Sequence, residues 1–330
     1  MRKLLRIVII AFILLPFAAH AGFPGDSLYI HVFKQNYNIQ GNIYTNKINF
    51  SLNPSMHIDT IDSRKILYEP NIGYYLGLSL SYKMFAMSLS FAIPGANNND
   101  SVAEKTSSQN VSVSVNERMY GGTAYYEKYK GFFLDNPGIF SSLWHGNNFP
   151  QRNDIEYTTY GINTYYLFNN TRFSMKAIMS QSERQQRTAG TFLVRLDGCY
   201  STIHADSSII PKSDEKYYQD MRGLHNMNFY DACLLGGYAH CTVIRKDYYI
   251  CPMLYSGPGV IRKLISSNSG DFETDNLFLK VDFKFAAGYN AKVSFLGVLF
   301  DSESDFMPAK FINFKTTVFS ISFFVGYRFW

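Results

Sequence analysis

The stretch Ile72–Ile93, IGYYLGLSLSYKMFAMSLSFAI, carries the reading of the fold. Ile72, Tyr74, Leu76, Leu78, Leu80 and Tyr82 share one parity, and Gly73, Tyr75, Gly77, Ser79 and Ser81 share the other. Beyond Lys83, the residues Phe85, Met87, Leu89, Phe91 and Ile93 alternate with Ala86, Ser88, Ser90 and Ala92. A helix would scatter the large residues around its circumference, whereas a strand places them all on one face. The stretch therefore predicts two antiparallel strands joined by a tight turn.

The same alternation recurs on both sides of this hairpin. Val111, Val113 and Val115 alternate with polar residues, and 119–133, 154–168 and 172–182 read as Tyr- and Thr-rich strands. The last two are expected to be joined by a turn at Asn169-Asn170-Thr171. Leu277, Leu279, Val281, Phe283 and Phe285 face away from Lys280, Asp282 and Lys284, and after a turn at Asn290-Ala291 comes Val293 to Phe300. The chain closes with Phe319, Ile321, Phe323, Val325, Tyr327 and Phe329 on a single parity.

Alternation alone fits two folds. A soluble sandwich or lipocalin-like barrel points its large residues inward, and an outer-membrane barrel points them at lipid. Composition and spacing favour the second. The 330 residues are 46% hydrophobic, 17% aromatic and only 17% charged, which excludes a disordered chain. Mean hydropathy is −0.13 and the one long apolar run is at the N-terminus, which excludes a polytopic helical membrane protein. Strands of about 9–11 residues match a tilted crossing of the hydrocarbon. Tight turns near 83, 117, 170, 246 and 291 alternate with long polar stretches at 53–67, 94–107, 135–153, 205–227, 260–274 and 301–310. Short periplasmic turns and long outer loops give this rhythm. Aromatic residues such as Tyr82, Phe85, Tyr166, Phe168 and Tyr248 cluster beside the tight turns, where an interfacial girdle lies. The fold class expected is all-β, an antiparallel transmembrane β-barrel of about 12 strands (12–14). An even number follows if both termini are periplasmic, and twelve results if 172–204 is one irregular strand.

Arg2, Lys3 and Arg6, the apolar run Leu4–Ala18 and the Ala19-His20-Ala21 site read as a cleaved signal peptide over residues 1–21. Residues 22–38 then form an N-terminal periplasmic segment and 39–330 the barrel. Cleavage removes three basic and no acidic residues, so the net charge falls from +5 to +2 and nucleic acid is not an expected partner. Cys199, Cys233, Cys241 and Cys251 lack zinc-site spacing, and neither a metal nor a cofactor is expected. Cys241 and Cys251 flank Arg245-Lys246-Asp247. A three-residue loop would set them opposite each other, a two-residue loop would put them on opposite faces, and free thiols are the expectation.

Seven strings occur in order along the chain: SLYIHVFKQNYNIQGN from Ser27, YEPN from Tyr68, LGLSLSYK from Leu76, EKYKGFFL from Glu127, SERQQRTAGTFL from Ser182, ADSSIIP from Ala205 and AAGYN from Ala286. Together they resemble a family of Bacteroidetes outer-membrane proteins described only as a domain of unknown function (number 4421). The resemblance covers nearly all of the mature chain and includes a tyrosine-lysine-glycine-aromatic element, here Tyr129-Lys130-Gly131-Phe132. It implies an exported barrel and brings no activity. The C-terminal Phe329-Trp330 resembles the aromatic signal read by the barrel-assembly machinery, although the apolar phase ends one residue early, at Phe329.

No phosphate loop, HExxH helix, nucleophile elbow or dinucleotide fingerprint is present. His204, Asp206 and Ser208 share one parity but read best as a strand end entering a loop. Ser182–Gly190, rich in Arg and Gln, reads as a solvated outer loop rather than a constriction. If apolar residues face lipid, Lys176, Arg195, Asp197, Lys280, Asp282, Lys284 and Arg328 line the lumen, because a charge on lipid costs up to several kcal/mol. Their mild positive bias would favour anions in an open pore, or they could pair within a closed lumen. The 135–153 stretch, with Trp144, His145 and Phe149, is a candidate plug. Three functions stay open: a narrow pore for small solutes, a closed barrel whose loops contact lipopolysaccharide or a partner, and a lipid-acting enzyme.

Overall fold

The computed structural model describes residues 26–35, 37–52, 65–93, 96, 106–136, 149–218, 221–268, 270–306 and 315–329. Twelve strands form one closed antiparallel barrel. In chain order with the short strands between them, they are β2 (Tyr37–Leu52), β4 (Tyr75–Tyr82), β5 (Phe85–Ala92), β6 (Ser107–Asn116), β7 (Tyr120–Leu134), β8 (Gln151–Leu167), β10 (Ala189–His204), β11 (Asn226–Ile244), β12 (Tyr248–Ser267), β13 (Gly270–Asn290), β14 (Ser294–Phe306) and β15 (Lys315–Phe329). The seam is continuous from Lys315 opposite Ser51 to Phe329 opposite Tyr37. Three short strands lie at the ends: β1 (Ile30–Val32) pairs with β9 (Glu183–Gln185), and β3 (Ile66–Glu69) bridges β2 and β7.

The decisive hairpin has the expected phase. Leu76, Leu78, Leu80, Phe85, Met87 and Phe91 are all about half exposed on the outer surface, while Tyr75, Ser81 and Ser90 are buried inside. Leu277, Phe323 and Val325 are more than 60% exposed, whereas Arg195, Asp282 and Arg328 are at most 6% exposed. Apolar side chains outward and charged ones inward is the inverted sense of a barrel in lipid. The outer band ends in aromatics on both sides. At the turn end, which holds both chain termini of the barrel, Tyr37 stacks between Tyr82 and Phe329. Nearer the loop end, Tyr126, Tyr160, Tyr200 and Tyr230 form a row across β7, β8, β10 and β11. Arg262, opposite Tyr230, pairs with Glu273 and Asp275 on the outer surface, as expected above a lipid band.

The strands depart from expectation in three places. First, 260–274 is not a loop: β12 and β13, 20 and 21 residues long, continue as a paired ribbon to Ser267 and Gly270. The polarity of the ribbon reflects projection beyond lipid, not irregular backbone. Second, Asp301–Phe306 belongs to β14. Third, 172–182 is not a strand. It contains a single helical turn, α1 (Lys176–Met179), with Phe173, Met175, Ala177 and Ile178 buried. Burial of Ile178 rather than Met179 breaks the two-residue period, because this segment crosses the barrel mouth instead of joining its wall.

Cys241 and Cys251 both point inward, across a three-residue turn in which Thr242 opposes Ile250 and Ala239 opposes Met253. All four cysteines are free. The expected signal peptide and Trp144 and His145 lie outside the described residues. The described Phe149 packs against Phe133 at the loop end.

Candidate functional site

The turn end is closed by a floor, Phe173–Gln185, which bonds to successive hairpins around the ring. Asn38 of β2 donates to the Ser180 carbonyl, 2.8 Å. Glu183 pairs with Arg118 of the β6–β7 turn at 3.4 Å, and Lys176 lies 3.5 Å from Glu117 of the same turn. Arg184 pairs with Asp247 of the β11–β12 turn at 2.5 Å. Asn290, ending β13, donates to the Ala177 and Glu183 carbonyls. Arg328 of β15 donates to the carbonyls of Gln181 and Ala291 and to Asn290 Oδ1. Its guanidinium is also sandwiched between Phe33, at 3.9 Å, and Phe295, at 4.6 Å. The underside of the floor is the β1–β9 pair. There burial, with the nearby cations Arg184, Arg328 and Lys292, holds the His31 imidazole below its usual pKa. The first part of the string, Ser182–Gln185, is therefore in the floor, with Glu183 and Gln185 each 3% exposed, and the string runs on through exposed Arg187 and Thr188 into β10 rather than forming an outer loop.

At the loop end a lid, residues 205–218 and 221–225, packs on β3 and the inner faces of the strand tips. Ile209, Ile210, Tyr218 and Leu224 are buried with Leu52, Ile66, Phe132, Ile155 and Ile203. Tyr218 donates to the Leu52 carbonyl and Tyr68 to the Ile209 carbonyl. Arg152 clamps the rim, donating to both oxygens of Asp154 and to the Ser207 and Ser208 carbonyls. Beneath the lid, Tyr129 accepts from Asn46 and Asn110 and donates to Glu127, while Tyr44 and Tyr75 stack 4.7 Å apart. The Tyr129-Lys130-Gly131-Phe132 element is the device that builds this ceiling. Gly131 has φ +91°, and the β7–β8 register shifts between Lys130 and Phe132. Past the bulge Phe132 and Leu134 join the buried interior cluster, while Phe133, also buried, packs against Phe149.

Between floor and ceiling lies a chamber of about 570 Å³. One wall is small and neutral, with Ser79, Ser88 and Ser90 on β4–β5, Asn110, Ser112 and Ser114 on β6, and Asn42 on β2. The opposite wall is charged through two facing combs. Lys280, Asp282 and Lys284 of β13 stand opposite Asp305, Glu303 and Asp301 of β14. Arg195 of β10 donates to both oxygens of Asp197 and to Asp282, with its guanidinium 4.8 Å from the Tyr255 ring centre. Lys280 bridges Glu303 at 2.8 Å and Asp197 at 3.4 Å. Lys284 contacts Asp301 and lies 3.5 Å from Asp282 and 3.9 Å from Glu303. Carboxylate oxygens of Asp282, Asp301 and Glu303 lie within 4.8 Å of one another, a separation that would suit a cation. The ammonium of Lys284 already occupies that neighbourhood.

Five of the seven lumen residues predicted from phase, Arg195, Asp197, Lys280, Asp282 and Lys284, converge on this wall. Lys176 and Arg328 do not: Lys176 lies in the floor, and Arg328, buried on β15, bonds to it. The expected positive bias is also reversed. Three cations line the chamber against six carboxylates, Glu127, Asp197, Asp231, Asp301, Glu303 and Asp305, and Asp282 is buried beside them. The acid comb was legible as Asp-x-Glu-x-Asp, but its serines made it resemble a loop. His204, Asp206 and Ser208 form no relay. His204 Nε2 is 3.8 Å from Asp206 with both side chains exposed, and Ser208 donates to the Ile210 carbonyl.

Solved structures with partial likeness include bacterial outer-membrane barrels. The outer-membrane protease OmpT from Escherichia coli is 7% identical, with 90% of this chain and 98% of that chain covered and a TM-score of 0.39. The beta domain of the Bordetella autotransporter BrkA is 8% identical, covering 89% and 99% at a TM-score of 0.37. The Pseudomonas putida toluene transporter TodX is 7% identical, covering 93% and 98% at 0.27. No curated protein matches in sequence. Residues 24–329 match one family along almost the whole chain, and the protein accordingly belongs to the family described as domain of unknown function DUF4421.

Proposed function

We propose that this protein is an outer-membrane barrel that holds a small polar solute in its internal chamber and passes it when the floor shifts. It is a gated transport barrel rather than an open pore. The observation that carries this reading is the floor, bonded to five places around the turn end beneath a polar chamber. A barrel built only as a structural element has no need of a 570 Å³ polar space walled by charge on one side and hydroxyls on the other. In this reading the turn end faces the periplasm, the lid faces outward beside lipopolysaccharide, and export uses the N-terminal signal peptide. The last strand is the handle for the barrel-assembly machinery.

Planar-bilayer conductance tests it. Wild-type protein is expected to insert without sustained open-pore steps. Arg328→Ala with Asn290→Ala removes the floor's ties to β13 and β15, and discrete current steps should then appear. Sustained steps in the wild type would mean an open pore. Silence in both would mean a sealed barrel that acts through its outer loops.

A further inference from the structure

We infer that the chamber's ligand is a small organic cation carrying separated primary ammonium groups. The inference rests on the gated-chamber reading and gives it a substrate class. Every cation on the charged wall is already committed: Arg195 to Asp197 and Asp282, Lys280 to Asp197 and Glu303, Lys284 to Asp282 and Asp301. Among the described residues, Asp231, Asp305 and Glu127 have no Lys or Arg within ion-pair distance, yet all three line the chamber. Oδ1 of Asp282, whose side chain is wholly buried, has no hydrogen-bond partner, and neither has Oδ1 of Asp301 or Asp305. Buried carboxylate oxygens left without a hydrogen-bond partner are costly, and charges around a partly enclosed cavity concentrate their field on whatever enters.

The distribution of the surplus selects the kind of cation. Glu127, Asp231 and Asp305 come from three different strands, β7, β11 and β14, whereas the tight group of Asp282, Asp301 and Glu303 already holds the Lys284 ammonium. Dispersed charges around a space of about 570 Å³ suit a molecule with spaced ammonium groups better than a single metal ion. Lys284 shows the chemistry in place, a primary ammonium shared among Asp282, Asp301 and Glu303. The serine and asparagine wall opposite offers uncharged hydrogen bonds to the rest of such a molecule.

The experiment is calorimetric titration of the full-length, detergent-solubilised barrel with spermidine, at low salt because exposed charge attraction is screened. Saturable binding, weakened at least tenfold in Asp231→Asn with Asp305→Asn, with no binding of citrate, is the expected result. No saturable binding, equal binding by that variant, equal binding of citrate, or saturation by calcium chloride with spermidine excluded would each overturn the inference. If the double variant does not run as a folded barrel in unheated gels, Glu127→Gln takes its place. Binding is read without current, so the two proposals fail separately. Spermidine bound by a barrel whose floor variant stays silent sinks the gate alone, and a conducting floor variant that ignores spermidine sinks the ligand class alone.

Discussion

Arg195 and Asp282, 87 residues apart, meet inside the barrel through a charge-assisted hydrogen bond from Nη1 to Oδ2. The carboxylate is fully buried and the arginine 6% exposed. Removing the arginine strips the buried Asp282 of its nearest counter-charge and leaves it the Lys284 ammonium at 3.5 Å. Arg195→Leu is therefore expected to destabilise the barrel by about 3–5 kcal/mol. Adding Asp282→Asn should recover part of that loss. Urea unfolding in detergent, followed by tryptophan fluorescence, measures both.

The lipid-facing phase predicts a position-dependent cost. Leu254 is 53% exposed on the outer face of β12, midway between Tyr248 in the turn-end girdle and the Arg262 ion-pair group. Leu254→Arg should cost about 2–4 kcal/mol, the usual penalty for arginine near the bilayer midplane. The comparison is equilibrium folding into vesicles of wild type and variant.

Gly131 bends β7 with a backbone that side chains rarely adopt. Gly131→Ala should lower stability by about 1–2 kcal/mol, and it should loosen the ceiling that Tyr129 and Phe132 form. Unfolding midpoints report the first effect, and faster hydrogen exchange at β7 beyond Lys130 reports the second.

His31 gives the floor a pH dependence. Its imidazole is held below the usual pKa of 6.5 by burial and then by Arg184, Arg328 and Lys292. A released N-terminal segment binds the proton more readily than a docked one. Docking is thus fully supported above pH 6.5 and weakens as pH falls below it. Limited proteolysis of the N-terminal segment should accelerate from pH 7.5 to pH 5.5, and His31→Gln should flatten the change.

Most of the wall was legible because lipid imposes a simple rule: a large residue on the outer parity is cheap and a charged one is not. Leu76 to Tyr82 and Phe319 to Phe329 carry that rule without interruption. The rule says nothing about the interior, where apolar and polar groups are both allowed. That is why the inward Leu193, Leu235 and Met253, in the same buried cluster as floor residues Phe173 and Ile178, had no outward signature. The floor was illegible for a related reason. Phe173, Met175 and Met179 fall on one parity, like a strand, and only the burial of Ile178 reveals the helical turn. At the charged wall, phase located Lys280, Asp282 and Lys284. The sign of the chamber depended on β14, whose alternating acids were visible only once register placed them opposite those lysines.

The bonding of the floor also fixes an order of events in biogenesis. Asn38 lies on the first strand of the barrel and Arg328 on the last, yet both hold backbone carbonyls of a segment near the middle of the chain, at Ser180 and Gln181. The middle segment cannot complete its bonds until the final strand has arrived beside the first. A barrel whose seam is open therefore has an unfinished base. A chain stalled late in insertion would betray itself by a protease-sensitive centre, and correct closure is sealed in one step with the ends of the polypeptide and its midpoint.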